Sequence, residues 1–193
     1  MRININIPNI LTWGRIALIP VFIGVFYLPD TWVSMAQKNV LATIFFAAAA
    51  ITDWLDGYLA RVLKQTSAFG AFLDPVADKL MVAASLIMLV QLDRVDVIVS
   101  IIIIGREIAI SALREWMARE GLSASVAVAT VGKLKTVAQM TAIPMLLFDA
   151  PLLGVSMHTV GSILIYAASA LTLWSMGYYL HRATAGLAKH TDQ

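Results

Sequence analysis

Apolar residues in this chain gather into long runs rather than alternating with polar ones. The runs extend roughly from Ile10 to Tyr27, Val40 to Leu59, Val76 to Leu92, Val95 to Leu113, Val131 to Phe148 and Thr159 to Leu180. Each approaches or reaches the roughly 20 residues that a spanning helix needs, the third being shortest. The pattern therefore predicts an all-α integral membrane bundle of six transmembrane helices, forming a single domain over residues 1–193. Met1 to Pro8 alternates Ile with polar residues and is expected to lie along the membrane surface before Asn9 and Thr12 open the first helix. Pro8, Trp13 and Arg15 interrupt the first run and no small-residue cleavage site follows Tyr27, so it reads as a retained helix and not a leader. Pro20 and Pro144 are expected to bend the first and fifth helices. Two polar stretches, Arg61 to Asp74 and Arg114 to Thr130, separate helices on one face. The opposite connections are short and hold Asp30, Asp93, Asp96 and Asp149.

Composition agrees with that pattern. With 60% hydrophobic and 13% charged residues and a mean hydropathy of +0.80, 193 residues cannot cover a soluble surface. An even number of spans puts both termini on one side, and that side collects every Lys and Arg except Lys38 and Arg94. The positive-inside rule makes it the cytoplasmic side of a bacterial inner membrane. The net charge of +2 is too small for nucleic-acid binding, and the absence of cysteine leaves hard oxygen ligands as the available metal chemistry.

Four aspartates stand out against this background. Asp53 and Asp56 are three residues apart at the inner edge of the second run, and Asp74 and Asp78 are four apart at the inner edge of the third. Each pair occupies one helix face, about 4.5 to 6 Å along the axis. A carboxylate near bilayer depth costs on the order of 2.5 to 3.5 kcal/mol, so four together need cations or water. Antiparallel packing of the second and third helices would bring the pairs together, and one or two Mg2+ or Mn2+ ions would neutralise them and could hold a substrate phosphate. Gly57 and Gly70 permit close approach of a ligand, and Arg61 offers a donor fork to phosphate. Plainer roles exist for single residues. Asp74 before Pro75 makes a good helix cap, and Asp53 or Asp56 could pair with Arg61 or Lys79.

A second group lies on the fourth and fifth runs. Glu107, Ser111 and Arg114 share a helix face, and Arg106 lies within an apolar run, where an arginine is by default a functional candidate. Pairing of Arg106 with Glu107 or an aspartate is the structural alternative. Lys133 and Lys135 open the fifth helix on the same side, so these cations could receive a phosphate monoester. In a regular helix the two lysines point about 200° apart, which favours one contact, and Lys133 is the preferred one. Topology alone would also place both lysines there. The three histidines show no ligand spacing, and Trp13, Trp32, Trp174, Tyr178 and Tyr179 fit interfacial belts.

The run from Asp53 through Asp56-Gly57, Ala60-Arg61, Gly70 and Asp74 to Asp78 resembles the signature of the CDP-alcohol phosphotransferases at every defined position. The resemblance implies a di-metal centre held by Asp53, Asp56, Asp74 and Asp78 against the diphosphate of a CDP-linked lipid, with Asp78 as general base. It also implies a nucleotide pocket lined by Gly57, Ala60, Arg61 and Gly70, with Thr66 and Ser67 beside it. Arg106 to Ile108 and Ser111 to Trp116, with Asn9, Leu11-Thr12 and Arg15 near the start, are similar to the glycerol 3-phosphate-using phosphatidylglycerophosphate synthases of that family. On that ground Asn9 joins the CDP-lipid contacts, Arg106, Arg114, Lys133 and Lys135 bind the acceptor phosphate, the substrates are CDP-diacylglycerol and glycerol 3-phosphate, and the protein is a homodimer. Another acceptor, such as serine or inositol phosphate, is the near alternative. A cation transporter is the distant one, and it would place its carboxylates near the bilayer midplane with access from both faces.

Overall fold

The computed structural model of the chain describes residues 7–62, 68–119 and 130–191; for Asn9, Ala60, Arg61, Arg114, Lys133 and residues 178–191, among others, it describes the backbone only. Six α-helices occupy nearly all of it: α1 (Ile7–Phe26), α2 (Met35–Val62), α3 (Ala68–Gln91), α4 (Val97–Arg119), α5 (Thr130–Phe148) and α6 (Met157–Thr191). Each corresponds to one apolar run, but the helices outgrow the runs at the polar ends. α1 already begins at Ile7, so Ile7 and Pro8 belong to the helix and not to a surface segment; the rest of that expected segment, residues 1–6, lies outside the described residues. Pro8 is accommodated because the first turn of a helix needs no backbone donor. α3 starts well ahead of Val76, so Asp74 sits inside the helix and does not cap it, and Pro75 is an interior proline. Residues 68–74 are therefore helical and were wrongly expected to form a turn. Their Ala and Leu content favours helix, and the surrounding helices supply what one proline-deleted hydrogen bond removes.

Helix starts are capped at one end of the bundle. Ser34 and Gln37 form a reciprocal box at the start of α2: the Ser34 amide donates to Gln37 Oε1 at 2.9 Å and the Gln37 amide to Ser34 Oγ at 3.4 Å. Asp96 Oδ1 accepts the Ile98 amide at 2.7 Å before α4, and Ser156 Oγ accepts the Thr159 amide at 3.3 Å at the start of α6. α3 ends in a left-handed Asp93, φ 55°, with the Arg94 amide bonded to Leu89 O and the Asp93 amide to Val90 O, the pattern usually built on glycine. Between α5 and α6 a hairpin unforeseen in the sequence pairs β1 (Pro151–Leu152) with β2 (Val155–Ser156). Its Leu153-Gly154 turn carries positive φ at both residues, which matches the twist of a two-residue hairpin.

The turn after α3 ties this end together. Arg94 donates to Leu146 O and Leu147 O at the end of α5 and to Asn39 Oδ1 in α2, and pairs with Asp149 at 3.1 Å. Burial lowers the Arg94 pKa and Asp149 opposes that shift. Nearby Lys38 bonds Leu28 O at 2.6 Å and Asp30 at 2.7 Å. All six helices feed one core, including Phe22, Phe46, Leu86, Ile103, Ile143 and Ile165. Large apolar residues also face outward and are more than half exposed: Ile51, Trp54, Ile98, Ile108, Ile163 and Trp174. A bundle apolar inside and outside suits lipid. Among the described residues, Met35–Leu59 and Met157–Gly177 are long and apolar enough to cross a membrane.

Candidate active site

The aspartates lie at the other end of the bundle, and α1 organises them. α1 packs against both α2 and α3 more extensively than those two pack against each other, so direct α2–α3 packing is not what joins the acidic pairs. From α1, Arg15 reaches the α2 pair with both arms of its guanidinium: Nη1 donates to Asp53 Oδ1 at 2.6 Å and Nη2 to Asp56 Oδ2 at 2.5 Å. One helical turn earlier, Thr12 Oγ1 donates to Asp74 Oδ1 of α3 at 2.5 Å. Arg15 and Asp56 are essentially buried, with side chains 1% and 2% exposed, whereas Asp53 is 44% exposed and opens the pair to water. Arg15, and not the expected Lys79, is the cation seen on Asp53 and Asp56 among the described residues; the side chain of Arg61, the other expected partner, lies outside them. Thr12 is a site residue that its role as an expected helix opener concealed.

The four carboxylates feel one another. Asp56 interacts electrostatically with Asp53 and Asp74, and Asp78 with Asp53, Arg15 and Glu107. Asp78 and Arg15 also line one small cavity, walled by Phe46, Met81 and Met140. Among the described residues no three acidic side chains converge closely enough to grip one ion as they stand. The donor set nevertheless fits a hard divalent cation: four carboxylates from two helices face one guanidinium and one hydroxyl, leaving negative charge and oxygen lone pairs in excess. Asp53, Asp56, Asp74 and Asp78 are the residues that would hold it.

Gly57 lies one residue beyond Asp56, and a Cβ built there meets no atom within 4 Å. Open space at this position is what close approach of a bulky ligand requires. Gly70 is buried in the first turn of α3. Ala60 and Arg61 continue α2 and Asn9 belongs to the first turn of α1, but Thr66 and Ser67 lie outside the described residues.

The basic group assembles around Glu107. Lys135, only 2% exposed, forms a short ion pair with Glu107, and Arg106 pairs with the same oxygen at 3.3 Å and reaches Ser175 Oγ of α6 at 3.5 Å. Among the described residues, Lys135 is the lysine that shares Glu107 with Arg106. The preference for Lys133 falls on a side chain outside the described residues, as does Arg114. Ser175 is far away in sequence, and no local signal marked it. Between α3 and α4 a cavity of about 370 Å³ has an apolar wall that includes Val76, Leu80, Ile104 and Ile108, and carries Lys79, Glu107, Ser111 and Glu115 as its polar members.

Comparison with known proteins places the chain in a family. The family model of CDP-alcohol phosphatidyltransferase matches residues 5–174. Proteins of Escherichia coli, Shigella flexneri and Shigella boydii named CDP-diacylglycerol--glycerol-3-phosphate 3-phosphatidyltransferase are each 47% identical over 184 residues, covering 94% of this chain and 97% of theirs. With the family model matching residues 5–174 and relatives 47% identical over nearly the whole chain, this chain belongs to the CDP-alcohol phosphatidyltransferase family.

Proposed function

We propose that the protein transfers the phosphatidyl group of CDP-diacylglycerol to glycerol 3-phosphate, giving phosphatidylglycerol phosphate and CMP. Relatives carrying that activity in their names along nearly their full length support the reading. The observation that carries it is a juxtaposition: two acidic pairs and the Arg106–Glu107–Lys135 group occupy one end of the bundle, with Asp78 near enough to both to feel the charge of Asp53 and of Glu107.

Asp53, Asp56, Asp74 and Asp78 would hold one or two Mg2+ or Mn2+ ions, which would supply the positive charge that a diphosphate and a departing CMP require. Gly57, Ala60, Arg61 and Gly70 border the nucleotide, with Asn9, Thr66 and Ser67 nearby. Arg106 and Lys135, joined by Arg114 and Lys133, take the acceptor phosphate in place of Glu107. Asp78 accepts the proton of the acceptor hydroxyl while that oxygen bonds to the lipid-bearing phosphorus. The bond from that phosphorus to CMP breaks, and CMP leaves with the electron pair. The lipid's acyl chains stay in the leaflet while nucleotide and acceptor come from water, which suits a site at one end of a membrane bundle. All six helices cross the cytoplasmic membrane, with both termini and the site on the inner face, and two copies form a homodimer.

Release of CMP from CDP-diacylglycerol is the test, run with and without glycerol 3-phosphate and with and without Mg2+. Release should require both; release driven equally well by serine or inositol phosphate would reassign the acceptor. Asp78→Asn should lower turnover by about 10²- to 10⁴-fold in a protein that still folds, and near-normal turnover would remove Asp78 as the base.

A further inference from the structure

We propose that Arg15 is the resident counter-ion of the Asp53–Asp56 pair and the group a divalent ion must displace, so that metal loading of this site is an exchange of cations. The inference rests on the reading that the aspartates hold a divalent ion.

Three observations lead there. First, the oxygens that Arg15 occupies, Asp53 Oδ1 and Asp56 Oδ2, belong to two of the four carboxylates that would act as ligands, and each is taken by a charge-assisted bond of 2.6 or 2.5 Å. A guanidinium and a divalent ion on the same oxygens repel one another strongly in a partly buried site. Second, Arg15 Nε is buried and, among the described residues, has no hydrogen-bond partner. An arginine fixed for good in a protein interior normally satisfies its donors, whereas this one is held by its two terminal nitrogens alone. Third, the balance of charge is incomplete. Asp74 is met by the Thr12 hydroxyl, and Asp78 feels Asp53 and Glu107 against Arg15 and Lys79, so among the described side chains the four aspartates outnumber the cations beside them.

The architecture permits the exchange. Arg15 is borne on α1, whereas the carboxylates are borne on α2 and α3, so its withdrawal leaves the ligand helices intact. Asp53 is partly open to water and gives an ion its way in, while Asp56 is closed off behind it. In the metal-free protein Arg15 keeps like charges from driving α2 and α3 apart; in the loaded protein that task passes to the ion.

Mn2+ binding by the purified full-length protein, followed by electron paramagnetic resonance of the free ion after chelator treatment, tests the exchange without reference to turnover. Arg15→Met should bind Mn2+ about tenfold or more tightly than the parent protein. Its unfolding temperature should be lower in chelator and should rise further on adding Mn2+. Arg15→Lys, which keeps one charge but cannot bridge both carboxylates, should fall between the two. Equal or weaker Mn2+ binding by Arg15→Met would overturn the exchange and assign Arg15 to the support of the loaded site. Should Arg15→Met fail to fold, Arg15→Lys decides alone, since binding no tighter than the parent rejects the idea. Absence of Mn2+ binding in the parent and in both variants overturns the metal reading itself and the exchange with it.

Discussion

At the scale of single residues, the site depends on what a side chain leaves free as much as on what it touches. Gly57 leaves room beside Asp56. Gly57→Ala should therefore fold normally, as no neighbour is struck, yet raise the KM for the CDP-lipid several-fold; an unchanged KM would take Gly57 out of the nucleotide pocket. Arg106 gives the complementary case. Its removal should raise the KM for glycerol 3-phosphate about tenfold or more while leaving that for CDP-diacylglycerol nearly unaltered, because a charge-assisted bond to phosphate is lost on the acceptor side alone. Steady-state kinetics with each substrate varied in turn reads that difference, and equal effects on both substrates would count against an acceptor pocket there. The aspartates were legible at this scale because charge in an apolar chain demands a reason. Arg15 was visible in the sequence too, but nothing local said which carboxylates it would meet, since its partners lie 38 and 41 residues away.

At the scale of elements, the two ends of the helices do different work. One end is closed by capping residues and by Arg94, which satisfies two terminal carbonyls of α5 while holding Asn39 and Asp149. Arg94→Ala takes this donor from the two carbonyls and from Asn39, while Asp149 keeps His158 at 2.8 Å, and should cost about 1–3 kcal/mol, as loss of a charged donor from buried acceptors does. The cost should show as a lower unfolding temperature with KM values close to those of the parent at low temperature, because the aspartates are at the far end. A large KM change with unchanged thermal stability would contradict that division. Capping boxes and left-handed turns follow from short-range rules, so Ser34 with Gln37 could have been read from the sequence. The extension of α3 past Pro75 could not. A proline after an aspartate ordinarily marks a helix start, and here packing against α1 overrides that preference.

At the scale of the molecule, the chain combines a packed core with an apolar exterior, and the four aspartates and the Arg106–Glu107–Lys135 group lie at the end opposite Arg94. Since the protein has no cysteine, single cysteines report on sidedness without background. Leu153→Cys, at the tip of the hairpin where the side chain is 97% exposed, should react with an impermeant maleimide added outside intact spheroplasts. Lys64→Cys should react only after the membrane is opened. The reverse pattern would turn the bundle over and put the site on the wrong face for a soluble nucleotide product.

Hydrophobic runs and stranded charges were enough to determine that this chain makes helices for a membrane and carries acid chemistry at one edge of them. Both follow from transfer free energies, which are properties of each residue in its own segment. Which side chains confront one another was decided only by tertiary packing: α1 set between α2 and α3, Arg15 across Asp53 and Asp56, Thr12 on Asp74, and Lys135 beside Glu107. Contacts between helices depend on the rotation and depth of each against its neighbours. Those are set by the fit of all six faces at once, and no single segment encodes them.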